Sequence, residues 1–171
     1  MNGPGTENRM IIGISGLGAA RGDMRLITHS LGSCVGICLY DCRTRVGGLA
    51  HCLLPRAYPH APGDRGRMPA GEPGKFVDTA LDALLGQMAG LGADVRRLGA
   101  KLYGGAAMFS FGGPGTFQNV GMLNAEMAKE RLAALDIPIL ESDVGGTAAR
   151  TITFDLETGR VDVKVIRRRE P

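Results

Sequence analysis

The chain has 171 residues, 44% hydrophobic and 22% charged, the composition and length of one ordinary globular domain with a single core. Its formal charge of +3 comes partly from the terminal Arg167-Arg168-Arg169 run. The few aromatics do not interleave with basic residues as a base-stacking surface requires, so nucleic acid is not an expected partner. No apolar run reaches the length of a membrane span and no leader-type segment opens the chain, which predicts a cytoplasmic protein without membrane insertion. In that compartment Cys34, Cys38, Cys42 and Cys52 are expected to be reduced thiols.

One domain is expected over residues 1–171, with loose ends at about 1–9 and 168–171. Residues 10–14 suit a first strand, and the GLGAARGD stretch after them reads as turn. Residues 24–28 read as a strand and 30–33 as a turn. Residues 34–40 and 46–54 then read as the two runs of a hairpin closed by 41–44. Residues 55–74 hold five of the nine prolines, together with His60, and read as a long exposed loop.

Phe76, Val77, Ala80, Leu81, Leu84, Leu85 and Met88 recur at helical spacing before Gly90 and Gly92, predicting an amphipathic helix. Residues 98–103 and 106–111 read as strands around Gly104-Gly105, and 120–135 as a second helix that stops before Pro138. Residues 137–141, 147–155 and 160–167 read as closing strands, with Glu157-Thr158-Gly159 as the turn of a last hairpin. The glycines at 16, 18 and 112–115 lack the spacing of a phosphate loop.

The chemistry concentrates between Thr28 and Leu54. Cys34 follows Gly32-Ser33, Thr28 lies six positions before it and His51 seventeen after it. A thiol attacks as thiolate and needs a base near neutral pH. A hairpin places the start of one strand near the end of the other, so His51 is the candidate base, with Thr28 the group that orients its ring. The Gly32-Ser33-Cys34 turn can aim backbone N–H groups at a tetrahedral oxyanion. The bland alternative is a cysteine and a histidine packed on adjacent strands. Cys38 and Cys52 fit that reading better, while Cys42 sits in the turn and His29 faces away from Thr28. A zinc site from Cys34, Cys38, Cys42 and His51 is disfavoured because these spacings splay the ligands along a strand. The order and length also argue against a nucleophile elbow around Gly32-Ser33-Cys34-Val35-Gly36.

These residues resemble the chemoreceptor glutamine deamidase family called CheD, through T-x5-C with LGSCV and then GGLAHCLLP. The similarity continues in Lys75-Phe76-Val77-Asp78, AKLYGGAAMF, Asn119-Val120-Gly121 with Asn124, Asp143-Val144-Gly145-Gly146 and Arg150. The resemblance implies a single-domain α/β layered sandwich of β-sheet and flanking helices. It also implies a cysteine hydrolase that converts glutamine side chains of methyl-accepting chemoreceptors to glutamate and ammonia. In that scheme Cys34 matches the nucleophile, His51 the base and Thr28 the third member, with no metal or organic cofactor. Some members of the family bind a CheC-type phosphatase, and a non-catalytic module regulating such a phosphatase is the alternative reading.

Overall fold

The computed structural model describes residues 7–57, 71–108 and 119–167. In chain order the elements are β1 (Arg9–Ile11), β2 (Leu17–Arg21), β3 (Arg25–Leu31), β4 (Val35–Asp41), β5 (Val46–Cys52), α1 (Val77–Gly90), β6 (Gly99–Gly104), α2 (Val120–Ala134), β7 (Ile139–Val144), β8 (Ala149–Asp155) and β9 (Val161–Ile166). They form a four-stranded sheet in the order β1-β3-β8-β9 and a five-stranded sheet in the order β2-β5-β4-β6-β7. Two apolar layers result. Val35, Ile37, Leu39, Ala50 and Cys52 of the larger sheet pack against Leu81, Leu84, Met88 and Leu132 of the helices. Cys38, Leu49 and Tyr103 on the opposite face pack against Leu26, Ile152 and Phe154 of the smaller sheet. The expected layered α/β sandwich is therefore present, as sheet on sheet with helices over the outer face of the larger one.

β5 shows how the sequence permits three layers to meet. All seven of its residues, VGGLAHC, are buried, and alternate side chains face the helices and the other sheet. A Cβ on Gly48 would come within 2.6 Å of Leu84 Cδ1, and one on Gly47 within 2.3 Å of Leu156 Cδ2. The adjacent glycines thus let a helix approach one face of the strand and a sheet approach the other. Gly47→Ala is expected to destabilise the fold by about 1–3 kcal/mol through overpacking. Gly86 lies in α1 with nothing within 4 Å of an added Cβ, and Gly86→Ala is expected to stabilise by roughly 0.5–1 kcal/mol. Urea midpoints of the two variants check both signs.

The predicted helices form close to the expected positions. Val77, Ala80, Leu81, Leu84 and Met88 make the buried stripe of α1, and Gly92, at φ +98°, ends it. The Asn119 side chain caps α2 by accepting from the Met122 N–H. The hairpin of β4 and β5 also forms, in a register pairing Val35 with Cys52 and Asp41 with Val46. Its far end is fixed by Asp41, which is fully buried and accepts two bonds from the Arg97 guanidinium.

Four sequence expectations are corrected. The GLGAARGD stretch contains β2, paired along β5 from Leu17–Ala50 to Arg21–Val46. Its glycine and alanines carry little strand propensity of their own, and the neighbouring strand imposes the conformation. Residues 30–33 are not wholly turn: β3 runs on to Leu31 past a bulge between Thr28 and Leu31, where Ser30 adopts φ +56°. Ala106 to Met108 are not strand, because the Ala106 and Ala107 N–H groups bond to Gly32 and Gly146 rather than to a ladder. Residues 7–9 are not loose: Glu7 pairs with Arg25, the Asn8 carbonyl accepts from the Arg25 N–H, and Arg9 opens β1. Residues 1–6, most of the expected 55–74 loop with His60, positions 109–111, the glycines at 112–115 and the end at 168–171 lie outside the described residues.

Candidate active site

Thr28 and His51 meet where the two sheets face each other, and Cys34 lies in the same layer. Thr28 projects from β3 of the smaller sheet, whereas His51 projects from β5 of the larger one. Cys34 sits in the turn by which the chain leaves β3 and enters β4. Gly36 pairs with His51 and Val35 with Cys52, so Cys34, one step before Val35, lies diagonally across from His51. Diagonal neighbours on one face of an antiparallel pair are roughly 7–8 Å apart, within reach of side chains. Cys34 belongs to the core between the sheets, the layer into which His51 projects toward Thr28.

Hydrogen bonding assigns the imidazole tautomer. Thr28 Oγ1 donates to the Ile12 carbonyl at 2.6 Å and lies 2.7 Å from His51 Nδ1. A hydroxyl has one hydrogen. With that hydrogen committed to Ile12, the oxygen accepts from Nδ1–H, and the basic lone pair falls on Nε2. That Nε2 is buried with no hydrogen-bond partner among the described residues. The β5 backbone at this point is also held on both sides, since His51 N–H donates to the Gly16 carbonyl and its own carbonyl accepts from Ser15 N–H.

Burial disfavours the charged form of both Cys34 and His51. It pushes the Cys34 thiol up, opposed by the residue's own backbone N–H, and pulls the His51 imidazole down to about 4. Thr28 orients the ring without adding charge, so nothing in the pair favours a standing thiolate and imidazolium. A stability signature follows from this. Between pH 6.5 and about 4 an unfolded imidazole is protonated while the folded one is not, so the unfolded state binds more protons and stability falls as pH drops through that window. Urea titrations at pH 7 and pH 4.5 are expected to differ by on the order of 2–3 kcal/mol from this group. The difference is expected to shrink in His51→Gln.

The turn carrying Cys34 is held by its carbonyls. The Gly32 carbonyl accepts from Ala106 N–H at 2.8 Å and the Cys34 carbonyl from Gly105 N–H at 2.9 Å. Between them the Ser33 carbonyl accepts from Asn124 Nδ2 at 2.9 Å. Gly104, at φ +98°, has no room for a Cβ beside the Cys34 carbonyl, so a glycine is required there. Arg150, 8% exposed, anchors this neighbourhood by donating to the Gly104 and Gly145 carbonyls and to Asp143.

The other sequence candidates fall elsewhere. His29 is exposed on the far side of β3, and Cys42 is exposed in the β4–β5 turn. Cys38 and Cys52 are buried and apolar in surroundings, and burial drives both thiols up. A cleft of about 340 Å³ lined by Cys38, Tyr40, Cys42 and Phe154 does not include Thr28, Cys34 or His51. No helix among the described residues is long and apolar enough to cross a membrane. Sequence reasoning about chemistry did not single out Asn124 or Arg150. The available signal for Asn124 was a polar residue on the stripe of Gly121, Ala125, Ala128 and Leu132 that α2 buries.

A protein-family model described as CheD chemotactic sensory transduction matches residues 53–165. The chain belongs to the CheD family. A relative from Desulfitobacterium hafniense is 43% identical over 160 residues, covering 94% of this chain and 95% of its own length. Relatives from Clostridium botulinum and Clostridium acetobutylicum are 38% and 36% identical, each over 91% of this chain and over 91% and 89% of their own lengths. All three bear the name probable chemoreceptor glutamine deamidase CheD. The matched span of the CheD family model starts at Leu53, beyond Thr28, Cys34 and His51.

Proposed function

We propose that the protein is a chemoreceptor glutamine deamidase, acting in the cytoplasm on glutamine side chains of methyl-accepting chemoreceptors. Its CheD-family membership and the names of its relatives supply the substrate class. The Thr28–His51 contact carries the catalytic reading, because it leaves a basic, unpaired Nε2 on the face that Cys34 shares. His51 takes the thiol proton as Cys34 Sγ attacks the side-chain amide carbon. The oxyanion so formed is met by backbone N–H groups of the Gly32-Ser33-Cys34 turn. Collapse breaks the C–N bond, and His51 returns the proton to the departing ammonia. Water, deprotonated by His51, then attacks the thioester, leaving glutamate and the free thiol. The net reaction consumes one water per glutamine and requires no redox partner.

The test is peptide mass spectrometry of a chemoreceptor cytoplasmic fragment incubated with the native protein and with Cys34→Ala. Conversion of glutamine to glutamate by the native protein alone supports the reading. Conversion by neither, with both proteins folded, returns the choice to a non-catalytic module that docks on a CheC-type phosphatase.

A further inference from the structure

Asn124 lies on α2 and is completely buried, yet it contributes little to the apolar layer. Its Nδ2 donates to the Ser33 carbonyl at 2.9 Å and to the Leu53 carbonyl at 3.1 Å. Ser33 immediately precedes Cys34, and Leu53 lies two residues beyond His51, so a single amide ties the nucleophile's turn to the base's strand. An amide nitrogen has two hydrogens, and both are used here. Its Oδ1 is left buried without a partner among the described residues, a cost that apolar packing would not incur. The position is therefore occupied for its donors.

The peptide plane carries the consequence. In a trans peptide the carbonyl and the following N–H point in opposite directions, and the chain has no cis peptide bond among the described residues. The Ser33 carbonyl is held toward α2, on the helix side of the larger sheet. The Cys34 N–H of the same plane therefore points to the other side, where the Cys34 side chain enters the core between the sheets. The Gly32 carbonyl is held by Ala106 N–H and fixes the Ser33 N–H in the same way. Among the described residues neither N–H donates to another residue. Asn124 is the one side chain among the described donors to this turn, the remaining ones being backbone.

We propose that Asn124 is a positioning residue that locks the Ser33–Cys34 peptide with its N–H facing the position of the developing oxyanion, preorganising that site. This rests on the deamidase reading above for its chemistry, although the locked peptide is a structural claim of its own. A donor preset to the oxyanion acts on the transition state rather than on ground-state binding or on the thiol. Asn124→Asp keeps the shape and removes both donors, while Asn124→Ala covers the case in which the carboxylate prevents folding.

Three readouts separate this role from general support. Glutamine conversion by either variant is expected to lose about 10- to 100-fold in kcat with KM within about two-fold. Alkylation of Cys34 by iodoacetamide passes through no oxyanion, so its rate and pH profile are expected to stay within about two-fold of the native protein. In a crystal structure of Asn124→Ala the Ser33–Cys34 peptide is expected to rotate away from its native orientation. A retained orientation overturns the proposal, as does a parallel fall in alkylation and conversion. Should the native protein convert no glutamine while the peptide still rotates in Asn124→Ala, the deamidase reading fails and the positioning role stands.

Discussion

Cys34→Ala is expected to lose glutamine conversion by about 10⁴-fold or more while the protein stays folded. The rate loss is large because no neighbouring group can replace the nucleophile. Cys38 and Cys52 are both free but buried, with burial driving their thiols up, and Cys42 lies at the opposite end of the β4–β5 hairpin. The structural cost is small by comparison. Cys34 is 7% exposed at the margin of the inter-sheet core, and removing one sulfur there costs about 1 kcal/mol, a shift of a few degrees in Tm. Cys38→Ala provides the contrast. That side chain is buried to 1% exposure among Leu49, Tyr103 and Phe154, so its loss is expected to lower Tm at least as much and leave conversion intact. Measuring rate and Tm on both variants decides the matter, and an inactive Cys38→Ala with normal Tm would sink the assignment of the nucleophile.

The hairpin around Cys34 and His51 was legible because its signals are local: two apolar runs, a turn at 41–44 and a strand period that puts alternate residues on one face. The helix α1 was legible for the same reason, through a stripe from Val77 to Met88. The partition into two sheets was not. Residues of β3 alternate in the same way whichever sheet they join, and the partners that decide it, β1 and β8, include one more than a hundred residues away. Thr28 consequently reads from sequence as part of one unit with Cys34 and His51, although it reaches His51 from the opposing sheet. β2 was hidden by Gly18, Ala19 and Ala20, whose strand conformation comes from pairing with β5. Apart from the Asn124 and Arg150 side chains, the parts of the site that stayed hidden are made of backbone. The Ile12 carbonyl sets the tautomer of His51 through Thr28, and the Ser33 and Leu53 carbonyls receive Asn124. A carbonyl is present at every residue, so its use leaves no trace in the side-chain sequence.

His51→Ala is expected to cost about 10³–10⁴-fold in kcat, and Thr28→Val about 10- to 100-fold. The order follows from what each side chain does. Without His51 the thiol has no proton acceptor and the departing ammonia no donor. Without the Thr28 hydroxyl the imidazole remains, but its Nδ1–H loses its acceptor and the proton is free to sit on Nε2. Only the molecules that keep it on Nδ1 are competent bases. Thr28→Val also strands the buried Ile12 carbonyl and His51 Nδ1, a stability loss of about 2–4 kcal/mol from two unmet polar groups. Thr28→Ser retains the oxygen and is expected to recover most of both losses. The decisive observation is the imidazole nitrogen spectrum of the native protein at neutral pH. A protonated Nδ1 with an unprotonated Nε2 agrees with a hydroxyl that gives its one hydrogen to Ile12. An Nε2–H in the native protein would reverse the Thr28 bond, remove the basic lone pair from the face of Cys34 and leave the proposed mechanism without its base.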